Sequence, residues 1–157
     1  MIARAPASLR YVIGDATAPA TPGVIAHICN DANAWGAGFS GAVSRRWGMP
    51  EFQFRGHRHD LGDVQIVDVG NGIRVANMVA QHGVGPDAIG RPPIRYHALR
   101  RCLVALAKTR PARVHMPRIG CGLAGGHWDE VEAIIVDTLV RADVDVTVYD
   151  LPLGGAS

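Results

Sequence analysis

Four glycines in seven positions, Gly120, Gly122, Gly125 and Gly126, follow the short apolar run Val114-His-Met116 and precede a tryptophan and an acidic, amphipathic stretch. Glycines let a backbone turn tightly and come close to a ligand, and the N–H groups of such a loop and of a helix start then face an anion. A phosphate-bearing small molecule is therefore the first ligand to consider. The bare pattern Gly120-x-Gly122-x-x-Gly125 also matches a dinucleotide fingerprint. That fingerprint normally opens its fold, with further βαβ units after it, whereas only one helix and one strand remain here. A plain glycine-rich turn is the competing reading.

A second constellation, Asn30-Asp-Ala-Asn-Ala-Trp-Gly-Ala-Gly-Phe39, also lies between an apolar run and a helical pattern. Asn30, Asp31 and Asn33 carry amide and carboxylate groups suited to the paired hydroxyls of a ribose, and Gly36 and Gly38 permit close approach. An Asx-rich turn that caps the next helix is the bland alternative. Two such loops, each at a strand's C-terminal end, point to a shared cleft. Asp15, after the first apolar run, offers a carboxylate to an exocyclic amine such as that of adenine, or simply forms a turn. Gln81 and His82 end another apolar run, where they could reach the same cleft or lie on a hairpin surface. His27, inside an apolar strand, reads as a satisfied core residue. Cys121 sits where a helix N-terminus would lower its pKa, but no orienting His is identifiable. His57-Arg-His59-Asp60 has metal-type side chains without a third or fourth ligand at a recognisable spacing, and reads as a solvated loop.

These residues need elements to position them. Strands are expected over 9–13, 24–29, 64–69, 73–79, 114–116 and 144–149, with Asn71-Gly72 turning a hairpin between the third and fourth. Helices are expected over 38–47, 94–108 and 128–141; in the last, Val131, Ile134, Ile135, Thr138 and Leu139 recur at helical spacing. Pro50 lies just past the first helix, residues 51–60 read as polar surface, and residues 83–93 as a loop. Six strands interleaved with three helices imply one layered α/β domain over 1–157 with a mixed sheet.

Composition narrows the function classes. Of 157 residues, 48% are apolar and 19% charged, enough to build a core. A net charge of +2 is too weak to argue for nucleic acid by itself. Lys108 is the sole lysine among sixteen basic residues. Three widely spaced cysteines, Cys29, Cys102 and Cys121, do not make a disulfide framework. No apolar run approaches a membrane span, and residues 1–8 lack a secretory apolar region, so a cytoplasmic setting with no membrane partner is expected.

Five segments carry a resemblance: Tyr11-Val-Ile-Gly-Asp-Ala-Thr17, Ile25-Ala-His-Ile-Cys-Asn-Asp31, Trp35-Gly-Ala-Gly-Phe39, Met116-Pro-Arg-Ile-Gly-Cys-Gly-Leu-Ala124 and Thr147-Val-Tyr-Asp-Leu151. Together, and in order over nearly the whole chain, they resemble a macrodomain, the ADP-ribose-binding α/β module. The Pro-Arg-Ile-Gly-Cys-Gly-Leu run is similar to the branch of the terminal ADP-ribose protein glycohydrolases and chromatin-remodeller macrodomains, and to its small bacterial single-domain members. The resemblance implies a three-layer α/β/α fold with a six-stranded mixed sheet and ADP-ribose at strand ends. Asp15 and Ala16 would meet adenine, with Leu151 flanking it. Asn30, Trp35, Gly36, Ala37, Gly38 and Phe39 would meet the distal ribose and diphosphate. Arg118, Ile119, Gly120, Cys121, Gly122, Leu123 and Ala124 would wrap the same groups. No cofactor and no metal are implied.

Glycohydrolases of that branch use a lysine that forms a covalent adduct with the opened ribose, assisted by an aspartate just after the Gly-Leu of the loop. Here Ala124 holds the aspartate position, and the lysine position falls near Gln81, with no lysine in the segment. A Schiff-base-type route is not expected. The chain then reads as a hydrolase that releases mono-ADP-ribose from protein acidic residues or nucleic acid by positioning a water, with Asn30, Asp31, Gln81 and His82 as candidates to hold water or ribose. The alternatives are a non-catalytic ADP-ribose reader, or a hydrolase of O-acetyl-ADP-ribose or ADP-ribose 1″-phosphate.

Overall fold

The computed structural model describes residues 5–36 and 38–153. Six strands form one sheet: β1 (Leu9–Ile13), β2 (Gly23–Asn30), β3 (Val64–Gly70), β4 (Ile73–Gln81), β5 (Arg113–Met116) and β6 (Asp145–Asp150). Their order is β1-β6-β5-β2-β4-β3, parallel except for β3 against β4. The hairpin turn falls at Asn71 and Gly72, with φ of 55° and 73°, which is the left-handed conformation that Asn-Gly supplies cheaply.

Helices cover both faces. α1 (Phe39–Arg46) and α2 (Met49–Arg55) lie on one; α3 (Tyr96–Lys108) and α4 (Trp128–Ile135) lie on the other. β2 shows the consequence. Val24, Ala26 and Ile28 pack into the α3/α4 core with Leu99, Leu103 and Ile135, while Ile25 packs against Val43 and Cys29 packs with Phe54 on the α1/α2 side. A central strand buried on two faces reads as a continuous apolar run instead of an alternating one.

Three expectations are corrected. Residues 51–60 are not polar surface throughout: α2 occupies 49–55, with Pro50 in its first turn, and Phe54 is 0% exposed, while Arg55, His57, Arg58 and Asp60 are exposed as expected. Its apolar signal in sequence, Met49, Phe52 and Phe54, is too short for a helical period to register. His59 is buried too; it stacks on the Phe54 ring at 4.3 Å and its Nε2 contacts the Phe54 carbonyl at 2.8 Å. The middle helix starts at Tyr96, because Ile94 is held extended in a bridge to Gln81. The last helix runs as α4 to Ile135 and then widens over Val136–Val140, where the Arg141 amide reaches back five residues to the Val136 carbonyl.

Among the described residues, no helix is long and apolar enough to cross a membrane.

Candidate functional site

The connection after β2 leads to α1 on one face, and the connection after β5 leads to α4 on the other. Chain leaving adjacent strand ends in opposite directions opens a crevice between them. A cleft of about 300 Å³ lies there, walled by His27, Asn30, Trp35, Gln81 and both glycine loops. Exposed Val84 and Leu123 form part of its lining.

The glycine loop supplies the first anion-seeking wall. Among the described residues, the amides of Gly120, Cys121, Gly122, Leu123 and Ala124 have no acceptor. The loop keeps this form through two nested backbone bonds, Gly126 N–H to Gly120 O at 2.7 Å and Gly125 N–H to Gly122 O at 3.0 Å. Gly120 sits at φ 76°, and a Cβ there would come within 2.5 Å of Ile94 Cδ1. A Cβ on Gly122 would meet nothing within 4 Å. Consecutive unpaired N–H groups of this kind form a concavity for anions.

α1 supplies the second. Its N-cap is Gly38, without a side-chain cap, and among the described residues the Phe39 amide beside the cleft has no acceptor, while Arg45 and Arg46 at its other end suit the macrodipole. Gly36 and Gly38 also have open space where a Cβ would stand. The expected ligand contact Ala37 lies outside the described residues.

A bulge between Cys29 and Asn30 re-aims Asn30 at the strand end. Its Oδ1 accepts from the Ala32 and Ala34 amides, both at 3.0 Å, and its Nδ2 donates to the Ala34 carbonyl at 2.9 Å. Asn30 therefore shapes the loop and keeps one amide hydrogen in reserve. The loop is held from behind by residues that no sequence pattern singled out. Trp35 Nε1 donates to Ser44 Oγ at 2.6 Å, Ser44 donates to Glu51, and Arg55 binds Glu51 as well as the Asn33 and Trp35 carbonyls.

The four candidates for holding water or ribose separate into two pairs. Asn30 and Gln81 are in the cleft wall. Asp31 and His82 stand beside it and engage each other, with Asp31 Oδ2 2.7 Å from His82 Nδ1 and Oδ1 accepting from the Gly83 amide at 2.8 Å. Burial pushes the Asp31 carboxyl up, but the Gly83 amide and His82 outweigh it and leave it below its usual value. A depressed carboxyl adds stability above the ordinary range, about 3.9, that is lost as pH falls through the depressed value. The Gly83 amide proton should hold its NMR position near neutrality and move as this bond breaks in acid. A resonance unmoved throughout that descent would show that the bond is not made in solution.

Of the expected adenine contacts, Asp15, Ala16 and Leu151 lie at the β1 and β6 ends, outside the wall of this cleft. Asp15 Oδ1 accepts from the Thr17 amide and hydroxyl, both at 2.8 Å, as a turn-forming carboxylate does. Arg118 lines the cleft with its guanidinium anchored: two bonds to Asp150, at 2.7 and 3.0 Å, and the Tyr11 and Trp128 rings at 5.1 and 5.2 Å. Ile119 is buried, and the Ala124 carbonyl accepts from the Ile94 amide. Cys121 departs from expectation: burial pushes its thiol up, against the pull of Arg118. No carboxylate is part of the cleft wall among the described residues.

Comparison with known proteins bears on this arrangement. No family model matches the chain. A macrodomain protein from Streptomyces coelicolor is similar in structure, with a TM-score of 0.78 and 44% identity, covering 91% of this chain and 99% of that one. The human ADP-ribose glycohydrolase OARD1 is 26% identical over 147 residues, 91% of each chain. The mouse chromodomain-helicase-DNA-binding protein 1-like is 30% identical over an alignment 164 positions long, gaps included, that covers 92% of this chain and 18% of that protein, so the chain spans less than a fifth of its length.

Proposed function

We propose, from the premise that this chain belongs to the macrodomain family, that its cleft binds ADP-ribose and that the protein hydrolyses mono-ADP-ribose from acidic side chains of modified protein or from nucleic acid. The observation that carries the binding reading is the run of five amides at 120–124 without an acceptor among the described residues, in a loop that walls the same cleft as Gly36, Gly38 and Phe39 at the start of α1. Backbone amides on two sides suit a diphosphate, whose charge they offset without side chains that must be ordered first. The hydrolase reading draws on the likeness to a protein named as an ADP-ribose glycohydrolase.

The chemistry is that of positioning. Ester links to acidic residues are labile, and the preorganised amides hold the diphosphate so that a water approaches the anomeric carbon in one orientation. Asn30 and Gln81 hold ribose or water, and the substrate's own phosphate assists proton removal. Ala124 and the carboxylate-free wall favour the second reading, a reader that binds ADP-ribose without cutting it.

Free ADP-ribose released from mono-ADP-ribosylated protein and from ADP-ribosylated DNA, measured beside calorimetric binding of ADP-ribose, separates the two. Release from either substrate is expected. Tight binding without release from any substrate leaves the reader, and no binding removes both. Asn30→Ala is expected to slow release at least tenfold, since the Ala32 and Ala34 amides lose their acceptor, at about 1 kcal/mol each, and the loop loses its form. Activity that survives Asn30→Ala and Gln81→Ala unchanged would strike both residues from the site.

A further inference from the structure

His27 reads in sequence as a satisfied core residue, yet its surroundings leave half of its ring chemistry unused. It is 1% exposed on β2 and forms part of the cleft wall. It belongs to a row of polar side chains across three strands, for His27 and Gln65 both stand opposite Asn77 in register. Asn77 Nδ2 donates to the Pro50 carbonyl at 3.3 Å and to Gln65 Oε1 at 3.1 Å, and Gln65 Nε2 donates to the Gln53 carbonyl at 3.1 Å. Backbone carbonyls only accept, so they fix the orientation of both amides. Asn77 Oδ1 therefore faces His27, and its 2.6 Å contact with Nε2 requires the proton to be on Nε2.

Nδ1 is then a bare lone pair. It is sealed from solvent and has no partner among the described residues. Burial pushes the ring down to about 4, with the Asn77 bond opposing, so His27 is neutral and Nδ1 is an acceptor at physiological pH. A buried acceptor left unpaired is costly and uncommon in folded proteins. Asn33 Oδ1 is likewise unpaired, but Asn33 is not part of the cleft wall. The Trp35 and Phe39 rings, on either side of Gly36 and Gly38 in sequence, pack on the His27 ring at centroid distances of 5.3 and 5.8 Å.

Strand order says which part of a ligand would come here. The β1 end, with Asp15, is three strand spacings from β2, about 14 Å at ~4.8 Å each. An extended dinucleotide-like ligand with its base near Asp15 places its far sugar over β2 and β4. We propose that His27 Nδ1 accepts a hydrogen bond from a hydroxyl of the distal ribose, reached as the Trp35 and Phe39 rings give way, and so is a specificity-determining residue of the cleft. This rests on the ADP-ribose reading above.

His27→Gln tests it, because the glutamine amide retains a donor for Asn77 and removes the Nδ1 acceptor. Calorimetric titrations with ADP-ribose and with ADP, which lacks the distal ribose, should show about tenfold or greater weakening for ADP-ribose, the equivalent of about 1.4 kcal/mol, and unchanged affinity for ADP. Equal weakening for both ligands, or none, overturns the proposal. A wild-type protein that binds neither ligand overturns the ADP-ribose reading itself and is recognised without any variant. If His27→Gln does not fold, ¹⁵N-histidine NMR of the wild type decides: the Nδ1 resonance should shift to a hydrogen-bonded position with ADP-ribose and not with ADP, and an unmoved resonance overturns the proposal.

Discussion

Gly122→Glu is expected to abolish the proposed ADP-ribose binding and to leave the fold standing. Gly122 is exposed, its φ lies outside the left-handed region, and a Cβ there meets nothing within 4 Å, so the longer side chain extends into open space without strain. That space belongs to the cleft. A carboxylate about 4–5 Å from a phosphate charge costs roughly 3–4 kcal/mol at an effective dielectric of ~20, and a diphosphate carries two such charges. The affinity loss should exceed ~100-fold, since each 1.4 kcal/mol is tenfold. Gly122→Ala adds a methyl to the same open space and should change affinity only several-fold. Calorimetry on the pair, with melting curves to establish that both are folded, separates charge from bulk. Wild-type affinity in the glutamate variant would show that the diphosphate does not lie over this loop.

Phe54→Ala should be the most damaging of these substitutions for stability, at a cost of ~3–5 kcal/mol, the usual range for emptying an aromatic core site. The ring is fully buried, stacks on His59 at 4.3 Å and meets Trp35 at 5.5 Å. Removing it opens a cavity beneath α2 and beneath the loop that borders the cleft. For a chain of 157 residues the melting temperature should fall by roughly 10 °C. ADP-ribose affinity should fall as well, because Trp35 loses its backing. Urea unfolding checks the first part, and a loss below ~1 kcal/mol would show that α2 does not pack as described.

Phe54 also illustrates where reading from sequence stops. Long amphipathic helices and two-sided apolar strands announce themselves: α3 through Leu99, Cys102, Leu103 and Leu106, and β2 through the apolar run Val24–Cys29 that only His27 interrupts. A seven-residue helix with two aromatic residues among polar neighbours offers no period to detect, and its burial follows from β3, β4 and α1 closing over it. The cleft loops were legible because glycine and asparagine have backbone roles that few other residues can fill. Ser44, Glu51 and Arg55, which brace the Trp35 loop, were not, since such residues are ordinary on any helix surface.

By itself the sequence determined the six strands, the hairpin at Asn71-Gly72, the two glycine-bearing loops and the resemblance to macrodomains. These rest on local backbone preference and on hydrophobic period, both of which act between near neighbours in the chain. Only the tertiary structure decided what those loops face. It separated Asp31 and His82 from the cleft wall, gave Arg118 to Asp150, pushed the Cys121 thiol up, and set His27 against Asn77 with a lone pair to spare. Those outcomes depend on strand order, register and burial. Residues 27 and 77 are fifty positions apart in the chain, and nothing at either position encodes the other until the sheet brings them into one row.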